Sequence, residues 1–103
     1  MKIGDILKLV RARKGLSQRD MAFVLGVSQN YLSLIESNRK TPTADTLTEF
    51  ANALNISRDA LMFASSGVPD ELNESDAKEF QRLQQNIVSI LLFEPNREPR
   101  EIS

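Results

Sequence analysis

Gln29 and Asn30 stand side by side near the start of the stretch GVSQNYLSLIES, residues 26–37. A side-chain amide carries a donor and an acceptor at the spacing of adenine N6 and N7, so amides on the first turn of a helix can read a base edge. Either residue alone is an ordinary polar surface residue. Catalytic chemistry has little to work with: the 103 residues include no histidine and no cysteine. The commonest general base is therefore missing, as are thiolate metal sites, cysteine nucleophiles and disulfides. Asp45 and Glu49, at i and i+4, could form a carboxylate pair, but without a histidine or a phosphate-cradling glycine loop nearby they read as a solvated helix face. The chain is not expected to be an enzyme, and no cofactor or metal is expected.

Reading a base edge needs a rigid helix held at a fixed angle, and the sequence around the two amides predicts one. Ile3, Ile6, Leu7 and Val10 mark a first amphipathic helix that Gly15 stops. Ser17 to Asp20 has the spacing of a capping box and opens a second helix, Gln18 to Leu25. Gly26-Val27-Ser28 is a tight turn, and Ser28 caps a third helix, with Leu32 and Ile35 inward, that ends near Asn38. Pro42-Thr43 opens a fourth, with Leu47, Phe50, Ala51 and Leu54 at i, i+3, i+4 and i+7. Ser57 caps a fifth, through about Ala64. Two helices joined across Gly26 have the spacing of a helix-turn-helix, whose second helix offers its first turn to the major groove.

The stretches LVRARKGLSQRDMAFVLGVSQNYLSLIESNRKTP and TLTEFANALNIS resemble the lambda-repressor and Cro-like (XRE-type) helix-turn-helix regulators, from about Ile3 to Ala64. That resemblance implies a five-helix, all-α DNA-binding domain in a bacterial or phage-encoded protein of the cytoplasm. It implies that Gln18 holds a phosphate and also braces Gln29, and that Arg11 and Glu36 form a structural ion pair pinning the recognition helix to its scaffold. Gln29, Asn30, Ser33 and Leu34 would read bases; Leu34, standing where a polar residue is common, either touches a thymine methyl or packs against a neighbouring helix. Gln18, Tyr31, Asn38, Arg39, Lys40 and Thr43 would hold phosphates, helped by the backbone N–H groups that open helices two and four. Asn38 stands where the family usually has glycine.

The back of the chain differs in charge. Nine Lys and Arg face six Asp and Glu up to Gly67 (+3), and four face eight from Val68 onward (−4). A polyanion partner suits the front half only. After a turn-rich linker, 68–75, one long helix is expected over 76–93. Phe80, Leu83, Ile87 and Ile90 form a seam of coiled-coil type, widened by Val88, Leu91, Leu92 and Phe93. Residues 94–103 read as a flexible tail. The seam can fold back on its own domain or pair with a second copy. Dimerisation through Phe80, Leu83, Ile87, Ile90 and Leu91 is the favoured reading, because one module buries only roughly 600 to 1,000 Å² on DNA. Leu9, Phe23 and Val24 are surplus to a five-helix core and are expected to be covered.

No run approaches a membrane span or a signal peptide. The sequence therefore predicts an all-α protein with a five-helix domain (1–67) plus one long C-terminal helix, acting as a homodimeric, sequence-specific regulator of double-stranded DNA. A protein-interaction or antitoxin-like module, whose C-terminal helix grips a regulatory partner, is the alternative.

Overall fold

The computed structural model describes residues 1–93; the expected flexible tail lies outside the described residues. Six helices follow one another, and no strand occurs among the described residues: α1 (Ile3–Arg13), α2 (Gln18–Leu25), α3 (Gln29–Glu36), α4 (Ala44–Leu54), α5 (Arg58–Ser65) and α6 (Glu74–Phe93). Local chemistry sets their ends. The side-chain oxygens of Ser17, Ser28, Thr43 and Ser57 accept the backbone N–H of Asp20, Tyr31, Thr46 and Ala60, each cap contributing about 1 kcal/mol. Gly26 (φ 72) and Asn55 (φ 56) stop α2 and α4 in the left-handed conformation.

The inward stripes of the six helices meet in one core. Phe50, Ile6, Leu7, Met21, Leu32, Ile35 and Leu61 are fully buried at its centre, where each large side chain contributes roughly 1.5–3 kcal/mol. α1 packs on α3, α5 and α6, while α2 packs on α3 and α4.

α6 corrects two expectations and answers one question left open. It begins at Glu74 rather than residue 76, because Asn73 Oδ1 accepts the Asp76 N–H at 2.8 Å and caps the helix earlier. Of the two ways left open for burying its stripe, it folds back on its own domain: Val88 and Leu91 belong to the same buried cluster as the front helices. Its inward stripe is also rotated from the expected seam. Gln84, Val88 and Leu91 are buried, and Phe80 packs on Phe63 of α5 with ring centroids 5.3 Å apart. Leu91 is thus spent inside its own domain, and Phe80 and Ile87 are half-buried there, whereas Leu83 and Ile90 remain 48 % and 54 % exposed. The physical reason is Gln84, whose Nε2 donates to Phe63 O at 3.0 Å and Ser66 O at 2.7 Å. A polar residue satisfied in this way can occupy the buried stripe.

Leu9, Phe23 and Val24 are not covered either. Phe23 is 87 % exposed, because α6 lies against α5 and α1 and leaves the outer face of α2 open.

Candidate nucleic-acid interface

α3 meets the solvent along one face because its other face is consumed by the core. Leu32 and Ile35 are buried, and helical spacing then turns Gln29, Asn30 and Ser33 outward, where all three are exposed. The turn before it is shaped by Gly26, whose N–H donates to Phe23 O, and by Val27, half-buried against the core, whose N–H donates to Ala22 O. Ser37 continues the outward face one turn beyond Ser33 and is exposed. The sequence reading passed over it because the base-reading set was drawn from the first two turns; its position four residues after Ser33 was the available signal.

Beneath this face lies a polar clasp. Arg11 Nε donates to Glu36 Oε2 at 2.8 Å, and Arg11 Nη2 to Glu36 Oε1 at 3.0 Å, a bidentate pair between α1 and α3. The third guanidinium nitrogen, Nη1, donates to Leu16 O at 3.1 Å. Glu36 is only 2 % exposed, and a carboxylate so placed requires both partners. Hydrogen bonding to Glu36 holds the Arg11 guanidinium above its usual range, against the burial that lowers it, with the charge of Glu36 adding to the rise. Gln18 completes the clasp from α2, its Nε2 donating to Glu36 Oε1 at 3.3 Å. This differs from the expected brace: among the described residues no hydrogen bond joins Gln18 to Gln29, and the glutamine supports the far end of α3 instead.

The expected phosphate contacts fall into two groups. Arg39 and Lys40 are exposed on the turn after α3, where both backbone N–H groups converge on Leu34 O at 2.9 and 3.1 Å. Lys40 Nζ sits 5.0 Å from the centre of the half-buried Tyr31 ring, a cation–π contact that steadies the ammonium. Asn38 and Thr43 are exposed but already engaged. Asn38 Nδ2 donates to Asp5 Oδ1 at 2.9 Å, and the Thr43 hydroxyl caps α4 and bonds Thr46 Oγ1 at 2.9 Å. Leu34 is half-buried, with only part of its side chain available to a groove.

Among the described residues no helix is long and apolar enough to cross a membrane, and no group of side chains has the makings of a metal site.

A helix-turn-helix family profile matches residues 7–61. The chain is similar to the ImmF control region 10 kDa protein of Bacillus phage phi105, with 37 % identity over 70 residues, 68 % of this chain and 78 % of that protein. It is also similar to the immunity repressor protein of the same phage, with 32 % identity over 79 residues, 77 % of this chain and 55 % of that protein. The HTH-type transcriptional regulator ImmR of Bacillus subtilis strain 168 shares 36 % identity over 62 residues, 60 % of this chain and 49 % of its own length. No solved structure matches the chain significantly.

Proposed function

The chain belongs to the helix-turn-helix family, and from that premise we propose that it is a sequence-specific DNA-binding transcriptional regulator, most simply a repressor. It acts as a homodimer on an inverted-repeat operator, with α3 in the major groove. The observation that carries this reading is the exposed polar face of α3, Gln29, Asn30 and Ser33, on a helix locked to its scaffold by Arg11, Gln18 and the buried Glu36. A face meant only for solvent has no need of a fixed angle; one that reads a groove does. Two relatives, an immunity repressor and a transcriptional regulator, favour the same reading.

Support for the dimer comes from the outer face of α6, where Leu83, Ile90 and Phe93 are 48 %, 54 % and 67 % exposed. Two copies paired through this stripe would bury it and supply the second half-site that one module lacks. Selection of binding sites from random duplex DNA near physiological salt, read by sequencing, tests the proposal. An enriched inverted repeat with half-sites about 34 Å apart is expected. Failure to enrich any sequence with the folded protein would remove the specific regulator and leave the protein-interaction module. The open Phe23 on α2 is the observation that favours that second reading.

A further inference from the structure

Where α1 crosses the end of α3, three residues fit one another. A Cβ on Gly4 would collide with the carbonyl oxygen of Ile35 and the carboxamide of Asn38, so only glycine lets the two helices approach this closely. Asn38 adopts φ 61, a left-handed conformation that asparagine tolerates better than most residues. Its Nδ2 donates to Asp5 Oδ1 at 2.9 Å. An ionised carboxylate only accepts, so Asp5 dictates which way the amide faces. The next two residues are Arg39 and Lys40, whose N–H groups both donate to Leu34 O. The basic turn is thus tied to α1 through a single side-chain bond at its first residue.

We propose that Asp5 and Asn38 form a positioning pair, in which the acidic Asp5 strengthens DNA binding by holding the turn at 38–40 so that Arg39 and Lys40 reach the phosphates. This rests on the DNA-binding reading above. It runs against simple electrostatics, by which removing an acidic group beside a polyanion tightens binding. The two effects therefore have opposite signs at one residue. Asn38 would serve the phosphates indirectly, its amide being spent on Asp5.

The test compares Asp5→Ala, Asp5→Asn and Asn38→Gly in the full chain. Affinity is measured for the selected operator and for random duplex across a salt series, alongside amide hydrogen exchange at Arg39 and Lys40 in the free protein. Asp5→Ala is expected to weaken binding to both DNAs about tenfold and to lower the salt slope by about one phosphate contact. It should also speed exchange at Arg39 and Lys40. Asp5→Asn keeps an acceptor oxygen and loses the charge, so it should bind at least as tightly as the natural chain with exchange unchanged. Asn38→Gly keeps the backbone conformation but not the bond, and should follow Asp5→Ala; combining the two should add little, because they remove the same bond. Asp5→Ala binding as tightly as Asp5→Asn, or leaving exchange at Arg39 and Lys40 unaltered, would overturn the pair. A natural chain without salt-dependent affinity for duplex DNA would instead overturn the DNA-binding reading. Exchange alone then decides whether the pair holds the turn.

Discussion

Gln29 at the start of α3 and Lys40 in the turn after it are both exposed polar residues, but they would do different work on DNA. Gln29→Ala is expected to cost about 1–3 kcal/mol at the selected operator and to relax one base position, whereas Lys40→Ala should weaken all sequences alike and lower the salt slope by about 1. Titration of each variant against operator and random duplex separates the two; equal losses on both DNAs for both variants would refute the assignment. Arg11 acts through Glu36. Arg11→Ala leaves a carboxylate that is 2 % exposed without its cation, so a loss of about 3 kcal/mol is expected in urea unfolding. Arg11→Lys keeps the charge but not the fork, and should lose about 1.5 kcal/mol. At this scale the sequence was informative about residue type and poor about engagement. The resemblance put Asn38 among the expected phosphate contacts, but only folding brings Asp5, 33 residues away, within reach of its amide.

The starts of α2 to α5 were legible element by element, because caps are local: Ser17, Ser28, Thr43 and Ser57 each bond a residue three positions away. The face that α6 buries was not. Periodicity weighs apolar residues, and the Phe80, Leu83, Ile87, Ile90 spacing outweighed a stripe that contains Gln84. What makes Gln84 acceptable inside is the pair of carbonyls at the end of α5, which no pattern within α6 can signal. Gln84→Leu should test this. By hydrophobicity alone it stabilises, but Ser66 O loses this donor, and a net loss of about 1–3 kcal/mol is expected in thermal unfolding. A Tm equal to or above that of the natural chain would show that the amide is dispensable. At the other end of α6, Arg13 Nε donates to Leu92 O at 3.0 Å and its guanidinium carbon lies 5.4 Å from the Phe93 ring centre, so α1 also caps the C-terminus of α6.

For the whole molecule the consequence is mechanical. α1 grips α3 through Gly4 and Arg11, the turn after it through Asp5, and α6 through Arg13, so a dimer made through α6 would hold its two α3 helices at a set separation. Inserting one base pair between half-sites, a shift of about 3.4 Å and a turn of about 34°, should then abolish cooperative binding. Undiminished binding would mean that α6 swings free. Leu83→Lys with Ile90→Lys should yield a monomer by sedimentation while leaving the fold intact, since both side chains are already exposed. The sequence by itself determined the helices of the front half, their caps, the inward stripes of α1 to α5 and the residue types on the outer face of α3, because those depend on neighbours within a turn or two. Tertiary structure alone decided that Gln18 braces Glu36, that Asn38 answers to Asp5, that α6 lies on its own domain and that Phe23 stays open. Each of these is a contact between groups 17 or more residues apart, or the lack of one, and its energy depends on which surfaces meet once the chain has closed on its core.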